Sequence, residues 1–210
     1  HLYYNGNLRN DNCFNMMKSA ILYSDLVTTV SPTYANEILT DEYGDGLQSI
    51  LNMKRDRLIG ILNGIDCDVN NPETDPNVLY HYNVDNWREE KVKNKMALQR
   101  ELGLPENPEV PMIGIVTRLT SQKGLDLILN KMEEILNRDV QVVLLGAGDR
   151  QYEDALGYWA SVAPEKLSCN LKYDFGLSCS IYASCDLFLI PSLFEPCGLS
   201  QMMALRYGTV

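Results

Sequence analysis

Residues 192–199 read Ser192-Leu193-Phe194-Glu195-Pro196-Cys197-Gly198-Leu199 and follow directly on the apolar run Asp186-Leu187-Phe188-Leu189-Ile190-Pro191. The pattern predicts a buried strand, a tight loop holding one carboxylate, and the start of a helix. In open α/β sheets, ligands bind just beyond the carboxyl ends of the strands. A carboxylate accepts hydrogen bonds from hydroxyl groups, and the free N–H groups at a helix start donate them. A polyol carrying acidic phosphates uses both, so a nucleotide sugar is the ligand class these residues imply. Cys197, at the helix start, is either a reactive thiol or a small packed side chain.

A second loop is basic: Arg118-Leu119-Thr120-Ser121-Gln122-Lys123-Gly124 lies between a predicted strand and the helix after it. Arg118 offers a planar fork and Lys123 a point charge, a pair suited to a diphosphate; the plain alternative is a solvated loop. Gly146-Ala147-Gly148-Asp149 begins like a dinucleotide fingerprint, but Gln151 stands in the third glycine's place, so a nicotinamide site is not favoured. A tight turn that lets the backbone approach a ligand is expected there. Asp66-Cys67-Asp68 has the Asp-x-Asp form of metal-dependent sugar transferases, a weak three-residue signal beside the turn Asn63-Gly64. As a calcium loop it fails, with Asn71 in the glycine place and Asn77 in the final glutamate place. Tyr173 is either packed or a platform for a stacked base. Asn15, near a helix start, is a cap or a surface amide.

The elements that must position these residues are legible in the periodicity. A helix is predicted over residues 12–24, with Phe14, Met17, Ala20 and Ile21 on one face. A short buried strand is predicted over 26–30, then a helix opened by Ser31-Pro32 and running to about Thr40. Residues 58–62 read as another short strand. Residues 66–111 are rich in proline, asparagine and charge and read as an interdomain connection with an entry helix over 91–102. Beyond it comes a regular alternation: strands over 112–119, 140–145, 170–173 (the weakest) and 187–190; helices over 124–138, 149–162, 177–184 and 198–207. Such alternation predicts a parallel sheet of Rossmann-like type. The chain ends at Val210, where a further strand is expected. The sheet is therefore expected to be incomplete and the chain to be part of a longer protein.

Bulk properties narrow the class. The chain has 210 residues, 45% of them hydrophobic, and a formal charge of −10, which argues against a nucleic-acid surface. No stretch approaches the roughly 18 to 20 apolar residues of a membrane span. The six cysteines form no Cys-x-x-Cys pair, which argues against zinc and for reduced, buried thiols in the cytoplasm. His1 begins no signal peptide. His1 and His81 are the only histidines, little material for a Ser-His-Asp site.

Five segments together resemble the family 5 glycosyltransferases, the bacterial glycogen synthases and plant starch synthases. They are Asn15-Met16-Met17-Lys18; Thr29-Val30-Ser31-Pro32-Thr33-Tyr34-Ala35; Asn63-Gly64-Ile65-Asp66; residues 118–124; and residues 194–199 followed by Gln201. The resemblance implies a GT-B architecture of two Rossmann-like domains. Residues 1–65 would then be the end of the N-terminal, acceptor-side domain. Residues 66–210 would be the linker and most of an incomplete, nucleotide-sugar-binding C-terminal domain.

It also implies a retaining transfer of glucose from ADP-glucose to the non-reducing end of an α-1,4-glucan, with no cofactor and no metal. By matching positions, Arg118 and Lys123 would hold the diphosphate and Glu195 would bind glucose hydroxyls. Backbone amides of Cys197, Gly198 and Leu199 would hold the same sugar, Tyr173 would stack on adenine, and Asn15 would contact the glucose from the other domain. A cytoplasmic location follows, or a plastid one in a plant or alga. Met203 stands where many GT-B enzymes carry a second glutamate. The family's Lys-x-Gly-Gly-Leu motif, cleft histidine and Thr-Gly-Gly-Leu loop are not in the chain, so the 210 residues alone are expected to be inactive. Two other readings compete: a non-catalytic nucleotide-sugar or glucan-binding module, and another GT-B transferase using a UDP-sugar.

Overall fold

A computed structural model describes residues 3–10 and 12–210. His1 lies outside the described residues. The chain divides into two compact units, His1–Gly64 and Ile65–Val210.

The first unit contains a short antiparallel hairpin, β1 (Arg9–Asn10) and β2 (Cys13–Phe14), then α1 (Met16–Tyr23), β3 (Val27–Thr29), α2 (Pro32–Glu37), α3 (Gln48–Met53) and β4 (Leu58–Gly60). β3 and β4 pair in parallel, Val27 opposite Leu58. The small core gathers Ile21, Leu47 and Leu51. The helix expected over 12–24 starts only at Met16, because the Asn15 side chain caps it, accepting the Lys18 N–H at 2.9 Å. Phe14 is therefore a strand residue, 61% exposed, and of the expected stripe only Ile21 is buried. The strand expected to be buried over 26–30 is half-open, with Leu26 exposed, since its sheet has two strands. Ser31 caps α2 through the Tyr34 N–H and Pro32 follows at its start, but the helix ends at Glu37. α3 was not legible in the sequence pattern.

The second unit holds α4 (Trp87–Glu101), β5 (Met112–Val116), α5 (Leu125–Leu136), β6 (Gln141–Leu145), α6 (Arg150–Val162), β7 (Leu167–Asn170), α7 (Phe175–Ser184), β8 (Leu187–Phe188) and α8 (Leu199–Arg206). The four strands form one parallel sheet in the order β7-β6-β5-β8. Side chains alternate across a strand, and β6 displays it. Val142 and Leu144 join the core under α5 and α6, with Leu125, Ile128, Met132 and Leu156. Val143 and Leu145 join the opposite core, with Leu98 of α4 and Leu177 and Ile181 of α7. A strand buried on both faces reads as a near-continuous apolar run, as Val142 to Leu145 does, which is why the sequence signal was clear.

Three expectations are corrected. The strand expected at 170–173 lies at 167–170, because Leu167 is the residue that fills the core and pairs with Val142; Tyr173 lies beyond it. The last strand is an edge strand of two residues with Leu187 exposed, not a buried one. The segment expected as a connection is folded onto the second unit. Its Val78 and Tyr82 share a core with Tyr182, Ala204 and Tyr207, and its buried polar groups are all paired. Asp75 accepts from the Tyr207 hydroxyl and from Asn77. The Lys91 ammonium donates to the carbonyls of Tyr182, Ala183 and Tyr207 and to Thr209 Oγ1. Among the described residues no helix is long and apolar enough to cross a membrane.

All six cysteines are free, and Cys13 and Cys67 are exposed, against the expectation of buried thiols throughout. Burial pushes Cys169, Cys179 and Cys185 up to about 12, and raises Tyr82, Tyr182 and Tyr207 as well. A thiol with a raised folded pKa stabilises the fold fully below its unfolded pKa, near 9, and loses that contribution as pH climbs toward 12. Lys91, pushed down to about 8 by burial, acts oppositely between pH 8 and 10.5, but one lysine is outnumbered by three thiols and three phenols. The melting temperature is expected to fall steeply above about pH 9 in thermal melts. A melting temperature that climbs through pH 10 would contradict this assignment.

Candidate functional site

Four loops meet at the carboxyl edge of the second unit's sheet: residues 117–124 after β5, 146–149 after β6, 171–174 after β7 and 189–198 after β8. Backbone contact locks the first two together. Leu119 N–H donates to Ala147 O at 3.0 Å and Asp149 N–H to Leu119 O at 2.8 Å. A Cβ on Gly146 would stand 1.9 Å from the Thr117 carbonyl oxygen. This glycine allows the close approach of the two loops. The first and fourth loops are joined as well. Leu193 N–H donates to Gln122 O at 2.9 Å, and Gly124 (φ 70°) would place a Cβ 2.0 Å from Pro191 O.

This joint brings Lys123 and Glu195 together. Lys123 Nζ lies 2.6 Å from Glu195 Oε1, with both side chains largely withdrawn from solvent. Ser192 Oγ donates to the same oxygen at 2.7 Å. A cavity of about 10 Å³, lined by Thr117, Lys123, Ser192, Glu195 and Ser200 among others, lies beneath them. Arg118 points elsewhere. It lines a neighbouring cleft of about 410 Å³ with Gly146, Ala147, Tyr173, Phe175 and Met203. Its guanidinium makes no hydrogen bond or ion pair with a described residue, so its five donors face the cleft and solvent. Tyr173 is 90% exposed at the cleft's rim, which removes the packed alternative. Val116 and Thr117 line both the cleft and the small cavity, so the two adjoin.

Among the described residues no side chain caps α8, which begins after Gly198. Its first N–H groups, at Leu199 and beyond, are left as donors at the loop that carries Glu195. Cys197 is a half-buried free thiol on the same loop. The edge thus sets two cations, one carboxylate, an exposed aromatic ring and a helix start within four adjoining loops. That can hold an anionic, ring-bearing ligand with hydroxyl groups.

Asn15 belongs to the first unit, where its side chain is engaged as the α1 cap. Asp66 makes a turn, accepting from the N–H groups of Asp68 at 2.9 Å and Val69 at 3.0 Å. Those two donors hold its carboxyl below the ordinary range. Among the described residues no group of three His, Cys, Asp or Glu side chains could hold a metal ion. A larger cleft of about 570 Å³, lined by Tyr82, Trp87, Arg206 and neighbours, holds none of the residues singled out for chemistry; convergent charge, not volume, marks the site. Sequence reasoning missed Ser192 and Gln122. The available signal was the spacing Ser192-x-x-Glu195 in a tight loop, where a hydroxyl can reach a carboxylate three residues on.

Known proteins resemble this chain over most of its length. Residues 1–53 match the family described as starch synthase catalytic domain, and residues 110–210 match glycosyl transferases group 1. A glycogen synthase of Streptococcus agalactiae is 55% identical over 208 residues, covering 99% of this chain and 44% of the relative. One of Streptococcus pneumoniae is 52% identical, with 99% and 43% covered. The catalytic domain of starch synthase IV from Arabidopsis thaliana, solved bound to ADP and acarbose, superposes with a TM-score of 0.86 at 45% identity, covering 94% of this chain and 41% of that one. The chain spans about 44% of the length of the curated relatives it matches.

Proposed function

We propose, from a chain that belongs as a partial sequence to the glycogen synthase and starch synthase family of GT-B glycosyltransferases, that its parent protein transfers glucose from ADP-glucose to the non-reducing end of an α-1,4-glucan, with retention. The observation that carries the reading is the Lys123–Glu195 pair beside the Arg118–Tyr173 cleft. ADP departs with negative charge, and fixed cations at that charge lower the barrier strongly. Arg118 and Lys123 supply them. An ammonium has three donors; one is used on Glu195, leaving two for phosphate oxygens. The transferred glucose, positive in the transition state, is stabilised by the departing phosphate beside it, so Glu195 positions hydroxyls and is not a nucleophile. Backbone N–H groups at Cys197, Gly198 and Leu199 complete the sugar site. In this reading the two basic side chains meet the diphosphate's charge, and neither a metal nor a cofactor is called for. A cytoplasmic enzyme, or a plastid one in a plant or alga, fits the reading.

Tyr173 stacks on the base. Replacing it by alanine is expected to weaken ADP binding roughly 10-fold, the scale of one base–aromatic stack. The test is calorimetry on the full-length protein with ADP, UDP and ADP-glucose, paired with a transfer assay on a maltooligosaccharide acceptor. Preference for ADP with glucose transfer is expected. Preference for UDP, or binding without transfer, would overturn the reading in favour of another transferase or a binding module.

A further inference from the structure

Glu195 has two carboxylate oxygens with different surroundings. Oε1 takes both Lys123 Nζ and Ser192 Oγ. Among the described residues nothing donates to Oε2. The cavity beneath the pair, about 10 Å³, holds at most one water and no sugar group. Oε1 is thus committed to protein, and Oε2 is the oxygen left to a ligand. Lys123 alone would fix the carboxylate's charge but not its rotation, because an ammonium is a point charge on a flexible stem. The second bond, from a short side chain three residues away, fixes the plane. Ser192 itself is held by its loop, whose next residue, Leu193, donates its backbone N–H to Gln122 O.

We propose that Ser192 is a positioning residue: its hydroxyl sets the rotation of the Glu195 carboxylate so that Oε2 faces a hydroxyl of the transferred hexose. This deepens the functional reading above and rests on it. A hydrogen bond to a charged group governs about 10- to 100-fold. In the full-length enzyme Ser192→Ala is therefore expected to lower kcat for transfer from ADP-glucose by about 10- to 100-fold. Its affinity for ADP, which lacks the hexose, should stay within twofold. Ser192→Thr, which keeps the hydroxyl, should recover most of the rate. Ser192→Cys, of similar size with a weak donor, should not.

The ADP titration shows whether each variant is folded, and the cysteine variant covers the case in which alanine destabilises the loop. A Ser192→Ala or Ser192→Cys enzyme with wild-type kcat overturns the assignment. So does a loss of ADP affinity that parallels the loss of rate, which would mark a merely structural role. A wild-type protein that transfers no glucose overturns the functional reading and this assignment together, and the wild-type control alone identifies that case.

Discussion

If the parent protein transfers glucose as proposed, Lys123→Ala is expected to slow that transfer about 100- to 1,000-fold, the scale of removing one preorganised charge partner of a leaving group. Two losses combine. The departing diphosphate loses a cation, and Glu195 loses the ammonium 2.6 Å from its Oε1, so an acidic side chain is left facing an acidic ligand. ADP binding should weaken too, because the charge is present before reaction as well as during it. Lys123→Arg is not expected to restore the rate. A planar guanidinium cannot take the place of a compact ammonium between a carboxylate and phosphate oxygens. Steady-state kinetics with ADP-glucose, together with an ADP titration, reads both effects. A rate within tenfold of wild type would remove Lys123 from the reacting centre.

The second large effect is expected at a residue with no side chain. Gly124 has φ 70°, and a Cβ there would lie 2.0 Å from Pro191 O and 2.7 Å from the Pro191 carbonyl carbon. Both atoms are backbone, so relief requires one loop to move off the other. Gly124→Ala is expected to cost about 3 kcal/mol of stability, combining the strained backbone with the overlap. It should also lower transfer roughly 100-fold, because the loop that must move carries Ser192 and Glu195 while the other carries Lys123. Urea denaturation and kinetics on the same preparation check the two parts. A variant of near-native stability would mean that the 117–124 and 189–198 loops are not locked to each other.

The sequence was most readable where burial was simplest. β5 and β6 lie between helices on both faces, so their apolar runs permitted one interpretation, and the helical stripe of Leu125, Ile128 and Met132 matched the core they fill. It was least readable at residues 66–111. Composition there is that of a solvated linker, yet Asp75, Lys91, Asn94, Lys95 and Gln99 are buried. Asn94 is satisfied by Tyr80 within the segment, and the other four by partners beyond it, as Lys95 is by Asp186. Pattern methods assign polar residues to the surface; only the fold reveals pairing that makes burial tolerable. Phe14 misled for a local reason, since the Asn15 cap ends the non-helical segment one residue after it. At the site, the position of Arg118, Lys123 and Glu195 at a sheet edge followed from the alternation. The contact between Lys123 and Glu195 did not, because it joins loops 72 residues apart, and the role open to Ser192 emerges only with that contact.

The lysine clamp at α4 bears on the order in which the chain becomes a protein. Lys91 leaves the ribosome long before its acceptors: Tyr182 O is 91 residues later and Thr209 Oγ1 118 residues later. At roughly 5 to 20 residues per second, that interval is on the order of ten seconds. During it, α4 has no carbonyls to receive its ammonium, and Lys91 and Lys95 keep that face hydrated. Premature docking of α4 on the half-made sheet is thereby disfavoured, since it would bury an unpaired charge. The ammonium finds its full set of acceptors only when α7, α8 and Thr209 have been translated. A buried cation that is costly in isolation thus ties the seating of α4 to acceptors made 91 to 118 residues later in the chain.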